Sequence, residues 1–210
     1  MKNDLTTVGN VVQAWSEVTT AAVEIGRLRV NHCILSAKVL TVALDDRGYE
    51  SFVMPCAVAV ANAQARKLYA EGVPLGEWPE SAHSIGVDPT QPAETGGFPG
   101  HMVVVVDTDQ GRYIVDGSTQ QFYREGRIEI PPSIVTRADE FPDEPYASAT
   151  SPDGTVIQWK ALPALGKAHR SAPDWTKNWR VWLDVLYRHM HEIEPRIEGL
   201  GRGAPPNPGS

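Results

Sequence analysis

The sequence predicts an α+β domain in which a buried central helix packs on an antiparallel sheet, with flanking helices near both ends of the chain. Three patterns indicate this fold. Residues 33–44 are apolar on almost every side, which is typical of a buried helix. Residues 102–106 form a valine-rich run, and after a short turn residues 112–115 return, so the pair predicts a hairpin. Apolar residues at helical spacing recur near both termini.

Three helices are predicted from these patterns. The first spans residues 8–29 and is amphipathic, and the second spans residues 33–45. The third starts at Pro173 and is expected to end at Pro195, because proline interrupts a helix. We expect its apolar face to pack on the sheet, joined by Trp15; this face consists of Trp175, Trp179, Trp182, Leu183, Leu186 and Met190.

The other segments complete the predicted sheet and its connections. Further strands are predicted at 51–60, 122–130 and 155–162, which carry β-branched and aromatic residues. Residues 61–71 fit either a continuation of the first strand or a short helix. The segment 72–100 is rich in proline and glycine, and such a long loop is more often functional than idle. It is the candidate for a loop that gates the substrate.

Length and composition limit the domain count and the classes of function. The chain has 210 residues, and residues 1–198 are predicted to form a single domain followed by a disordered Gly/Pro-rich tail at 199–210. A net charge of -7 without a basic cluster gives no reason to expect nucleic-acid binding. Residues 1–10 do not have the pattern of a signal peptide, and no apolar run has membrane-spanning length, so a cytoplasmic protein without membrane association is predicted.

Two cysteines are too few for a disulfide scaffold or a zinc site built from cysteines alone. In a reducing compartment Cys33 and Cys56 are expected to be free thiols, although one disulfide between them is possible. Neither a metal nor a cofactor is expected. The oligomeric state is left open.

Cys33 is the candidate nucleophile because it stands at the start of the buried helix. Unpaired backbone N–H groups and the positive end of the helix dipole favour the thiolate there, which is the reactive form. The structural alternative is that Cys33 is a small core residue. Asn31 is the predicted N-cap, and His32 is expected to line the edge of the pocket or to cap the helix. The backbone N–H of Cys33 is the expected oxyanion donor.

His101 and Asp116 lie at the outer ends of the predicted hairpin. With a symmetric turn, Val106 stands opposite Gly111 and His101 stands opposite Asp116, so the two side chains point to the same face. A carboxylate in that position accepts the imidazole N–H and holds the ring in one tautomer. Structural alternatives are that His101 caps a strand and that Asp116 begins a turn.

The order of these residues resembles the transglutaminase-like core, a branch of the papain-like cysteine fold that includes the arylamine N-acetyltransferases. The resemblance covers roughly residues 31–122. Its motifs are the cysteine that heads a buried helix, the glycine before a strand at 48–53, the histidine that begins 101–106, and the aspartate near a threonine in 114–119. It implies that Cys33 is the nucleophile, His101 the general base and acid, and Asp116 the residue that orients the imidazole.

The predicted function is that of a cysteine-dependent hydrolase or acyltransferase, which forms a thioester on Cys33 from an amide or acyl substrate. The substrate could be a peptide, a protein or a small molecule, and water or another acceptor could resolve the thioester. The alternative is a binding or regulatory protein that keeps the fold without the chemistry.

Overall fold

The computed structural model describes residues 4–87 and 100–201 of the chain, with side chains as far as residue 192. Within this part of the chain, seven strands form one antiparallel sheet. The strands are β1 (Glu50–Ala61), β2 (Ser84–Val87), β3 (His101–Thr108), β4 (Gly111–Asp116), β5 (Ile134–Arg137), β6 (Tyr146–Thr150) and β7 (Val156–Ala161). Their order is β5-β4-β3-β1-β7-β6, and β2 also pairs with β1. The predicted combination of helices with an antiparallel sheet is confirmed.

Four α-helices accompany the sheet in the described residues. They are α1 (Leu5–Glu24), α2 (Cys33–Asp45), α3 (Ala63–Ala70) and α4 (Trp179–Gly201). Helix α2 packs on β1 and β3, and α1 and α4 pack on α2 and on each other. The predicted α2 is confirmed at both ends, because its apolar run is buried against the sheet and the other helices. None of these helices is long and apolar enough to cross a membrane.

The central strand β3 is buried on both faces. Met102, Val104 and Val106 belong to the core between the sheet and the helices. Val103 and Val105 alternate with them and pack in a second core on the opposite face, around Phe122, Trp159 and Ile114. A strand buried on both sides needs apolar residues at every position, which explains the uninterrupted valine run.

Several predicted boundaries differ from the structure. Residues 61–71 contain the short helix α3, so the helical alternative is correct. Residues 122–130 do not form a ladder strand; a 3₁₀ turn at Thr119–Phe122 precedes a single bridge between Arg124 and Ile128. Gly126 adopts a positive φ of 66° between the bridged residues, which turns the chain too sharply for a long strand. Strands β2, β5 and β6 were not predicted, since they are short and weakly patterned.

The last helix also differs from the prediction. A π-helical turn at Asp174–Asn178 precedes α4, and the helix continues through Pro195 to Gly201. Proline removes one backbone donor but does not prevent helical backbone on both sides of it. Leu183, Leu186 and Met190 of the predicted apolar face are buried, but α4 packs mainly on α1 and α2 where the sheet was expected. Trp182 meets the ring of Trp15 edge-on at 6.4 Å between centroids. Residues 88–99 of the predicted gating loop and residues 202–210 of the predicted tail lie outside the described residues.

The hairpin register differs from the symmetric one. Thr108 pairs with Gly111 and Val106 pairs with Tyr113, so the turn consists of Asp109 and Gln110 alone. The predicted pairing of Val106 with Gly111 is therefore wrong. The shift amounts to two residues, and side chains alternate with a period of two, so His101 and Asp116 still point to the same face as diagonal neighbours.

Candidate active site

Cys33 is the first residue of α2, and its side chain is almost completely buried, with 6% of its surface exposed. The N-cap is His32, whose side chain makes no capping hydrogen bond. The thiol donates weakly to Asn31 Oδ1 at 3.8 Å. Cys33 thus lies where backbone N–H groups have no helical partner and the helix dipole is positive.

His101 and Asp116 form a buried pair at the ends of β3 and β4. His101 Nε2 lies 2.7 Å from Asp116 Oδ2, and the two side chains are 1% and 0% exposed. The carboxylate accepts further hydrogen bonds from the Trp159 indole at 3.0 Å and from the Ser118 backbone N–H at 3.1 Å. Donors therefore meet both carboxylate oxygens, which keeps the buried charge satisfied and fixes the orientation of the imidazole.

The electrostatics of this pair favour an imidazolium beside a carboxylate. Burial alone would lower the pKa of His101, but the charge and hydrogen bond of Asp116 outweigh it and raise the pKa to about 10. Burial would also raise the pKa of Asp116, yet the charge and hydrogen bond of His101, helped by Trp159 and Ser118, lower it. Each partner thus stabilises the charged form of the other.

The structure brings Cys33 to the same imidazole. An electrostatic interaction with the Cys33 side chain also raises the pKa of His101, after the larger effects of burial and of Asp116. Because Nε2 is bonded to Asp116, Nδ1 is the ring nitrogen left to exchange a proton with the thiol. Cys56 also lies nearby, as the β1 partner of His101, but it is fully buried and burial raises its pKa well above the usual value.

Two further contacts of the His101 ring were not predicted. Gln121 Nε2 lies 3.0 Å from His101 Nδ1, and the Phe122 ring meets the imidazole at 5.4 Å between centroids. Both residues belong to the 3₁₀ turn Thr119–Phe122 that follows Asp116. The polar residues directly after Asp116 are the sequence feature that indicates a turn there. The predicted strand at 122–130 instead assigns Phe122 to the sheet.

Asn31 and His32 lie next to Cys33 in the chain, and His32, not the predicted Asn31, occupies the N-cap position of α2. Asn31 does not cap the helix; its side chain faces the Cys33 thiol. The His32 ring is 2% exposed, and its Nδ1 lies 2.9 Å from the Arg29 carbonyl, which can only accept a hydrogen bond. Burial lowers the pKa of His32, so the ring is held neutral with a proton on Nδ1. Both residues line a surface cavity that also includes Leu35 and Trp182.

A hydrogen-bonded chain holds α2 against the end of β4. The Trp15 indole of α1 donates to Ser36 Oγ at 2.9 Å, and Ser36 Oγ donates to the Gly117 carbonyl at 3.1 Å. Ser36 lies one turn after Cys33, so the contact fixes the start of α2 next to the residue that follows Asp116. A Cβ atom at Gly117 would lie 2.6 Å from Leu40 and 2.9 Å from Trp15, so only glycine fits there.

Replacing Gly117 by alanine is expected to destabilise the protein by about 1–3 kcal/mol, because the added methyl group forces Leu40 or Trp15 to move. Urea unfolding measures the change. Gly9→Ala is the matched control, because Gly9 lies in α1 with nothing within 4 Å of an added Cβ. There the same substitution is expected to stabilise by about 0.5–1 kcal/mol. Equal effects at the two positions would contradict the close packing at Gly117.

Other titratable and polar side chains that the sequence offers lie apart from this site in the described residues. In the part of the chain that the structure describes, no three His, Cys, Asp or Glu side chains are grouped as metal ligands. His189 pairs with Glu17 at 2.7 Å on the helical surface. Gln13 is the one glutamine upstream of Cys33 that could act as a second oxyanion donor. Its side chain is exposed and donates to Glu17, so it lies outside the site.

Comparison with known proteins gives no match for this chain. No family model matches it, and neither a curated protein nor a solved structure is significantly similar to it.

Proposed function

We propose that the protein is a cysteine-dependent enzyme that forms a thioester on Cys33 from an acyl or amide substrate. The observation that carries this proposal is the buried His101–Asp116 pair at 2.7 Å, which orients an imidazole that also interacts with Cys33. A carboxylate, an imidazole and a thiol in this order are the parts of an activated cysteine nucleophile.

The proposed reaction has two stages. His101 Nδ1 takes the Cys33 proton, and the thiolate attacks the acyl carbon while the backbone N–H of Cys33 stabilises the oxyanion. The leaving group then takes the proton from His101, and the thioester remains. In the second stage His101 deprotonates water or an amine, which attacks the thioester, and the proton returns to the Cys33 sulfur as the acyl product leaves. The Asp116 carboxylate stabilises the imidazolium in both stages.

The arrangement of elements supports a papain-like, transglutaminase-like core. The cysteine heads a central helix, the histidine begins β3 and the aspartate ends β4, as in the family that the sequence resembles. Both cysteines are free thiols, which fits the proposed cytoplasmic location. We infer that the segment around residues 72–100 contributes to substrate access.

A small activated ester tests the proposal directly. Incubation with p-nitrophenyl acetate is expected to add one acetyl group to Cys33, detected by intact mass and peptide mapping, and the adduct is expected to hydrolyse when the reagent is removed. The Cys33→Ser variant is the control for acylation at other side chains. Acetylation confined to lysines, or equal modification in both proteins, would instead favour the non-catalytic binding protein.

A further inference from the structure

We propose that Gln121 is a positioning residue whose carboxamide must move away when His101 Nδ1 becomes protonated, so that the two events are coupled. The geometry behind this is a short contact on the ring nitrogen that faces the nucleophile: Gln121 Nε2 lies 3.0 Å from Nδ1. The catalytic meaning of this coupling rests on the proposed function. The coupling itself is a property of the folded protein and can be measured without a substrate.

The orientation of the Gln121 amide follows from a second partner. The same Nε2 atom lies 3.0 Å from the Ser118 carbonyl oxygen. A carbonyl only accepts, so the amide nitrogen, and not its oxygen, must face Ser118. One N–H of Gln121 therefore binds Ser118 and the other points at His101 Nδ1, which has to accept it with a lone pair.

A protonated Nδ1 is incompatible with this arrangement. Proton transfer from Cys33 turns Nδ1 into a donor, and two donors then face each other across 3.0 Å. The repulsion between the two donors destabilises the imidazolium until the Gln121 amide rotates or moves away from Nδ1. Gln121 thus opposes the effect of Asp116 at the other ring nitrogen, where the carboxylate favours the imidazolium.

The position of Gln121 allows this displacement. Its side chain is half-buried, whereas His101 and Asp116 are buried. Ser118, which precedes the turn, contacts the partner of each ring nitrogen. Its N–H donates to Asp116, the partner of Nε2, and its carbonyl accepts from Gln121, the partner of Nδ1. A substrate that competes for the Gln121 amide would release Nδ1 and so favour the thiolate at the moment of binding.

The first test uses the wild-type protein and nuclear magnetic resonance. With ¹⁵N-labelled histidine and glutamine, Nδ1 of His101 is followed as a function of pH together with the side-chain amide of Gln121. The titratable groups around the ring are Asp116 on β4, Cys33 on α2, Cys56 on β1 and, through Asp116, His32. The expected result is a Gln121 amide transition at the same pH as Nδ1 protonation. An amide resonance that does not change there overturns the proposal.

The second test removes the amide. In Gln121→Leu we expect the pH midpoint of Nδ1 protonation to rise by up to about one pH unit, a tenfold change in the equilibrium. The pH midpoint of Cys33 alkylation is expected to fall. Gln120→Leu is the matched control, because Gln120 lies on the same turn without a hydrogen bond to the ring, and both midpoints should stay unchanged. An unchanged or lower Nδ1 midpoint in Gln121→Leu overturns the proposal.

These results are independent of the acylation experiment. A missing acyl-enzyme would remove the proposed function and leave the coupled resonances in place. Conversely, a normal acyl-enzyme with uncoupled resonances would remove the role of Gln121 and leave the proposed function in place. A merely structural role of Gln121 would change unfolding in urea without moving either pH midpoint.

Discussion

Replacing His101 by glutamine is expected to slow alkylation of Cys33 by iodoacetamide at neutral pH by about 10²-fold. The imidazole is the group that can take the thiol proton, and a carboxamide cannot replace it in that role. Glutamine is chosen because its amide N–H can still be donated to the Asp116 carboxylate. Alanine would leave that carboxylate buried without its main partner and would risk unfolding the protein.

Cys56 serves as the internal reference in the alkylation experiment. Cys56 is fully buried, and burial raises its pKa, so it should remain unlabelled in both proteins. Mass spectrometry of peptides that contain each cysteine gives the two rates in one experiment. If Cys33 in the wild type reacts no faster than in His101→Gln, the imidazole does not activate it, and the proposed nucleophile is wrong.

Replacing Asp116 by asparagine is expected to cost about 3 kcal/mol of stability, the second large effect. Both carboxylate oxygens accept hydrogen bonds: Oδ2 from His101 and Trp159, and Oδ1 from the Ser118 N–H. An amide has only one oxygen, so its NH₂ group must face a buried donor in either orientation. Urea unfolding measures the cost. Asp143→Asn should change stability by less than about 0.5 kcal/mol, because that side chain is 86% exposed.

The same pair predicts how stability depends on pH. The pKa of His101 is raised from 6.5 to about 10 in the folded state, so its contribution is complete below pH 6.5 and is lost as pH rises toward 10. The pKa of Asp116 is lowered from 3.8, so its contribution is present above that pH and is lost on acidification. Asp116→Asn should remove most of the decline between pH 6.5 and 10. If the stability of Asp116→Asn declines over this pH range as much as that of the wild type, groups other than His101 and Asp116 cause the decline.

The sequence predicted that His101 and Asp116 share one face of the sheet, but it did not predict the hairpin register correctly. Helix α2 was predictable because an uninterrupted apolar run has to be buried. The register was not, since nothing in the residues after Val106 distinguishes a two-residue turn from a longer one. His101 and Asp116 still share a face, because the shift preserves the alternation of the strands.

The residues that surround the pair depend on long-range packing and could not be predicted. Trp159 binds Asp116 across 43 positions of the chain, and its strand alternation predicts only that it faces a core. Gln121 lies on the short 3₁₀ turn Thr119–Phe122, which has no periodic apolar pattern to predict it. A polar contact between two distant segments leaves no periodic pattern in either of them.

Labelling of the buried Cys56 thiol measures the local stability of the fold around β1 without denaturant. Its side chain is fully buried in the second core with Phe122 and Trp159, so a reagent reaches the sulfur only when that core opens. When reclosing is faster than labelling, the labelling rate is proportional to the population of this opened state. Labelling of Cys56 over times much longer than the Cys33 reaction therefore reports the free energy that keeps the second core closed over the strand paired with the one that bears His101.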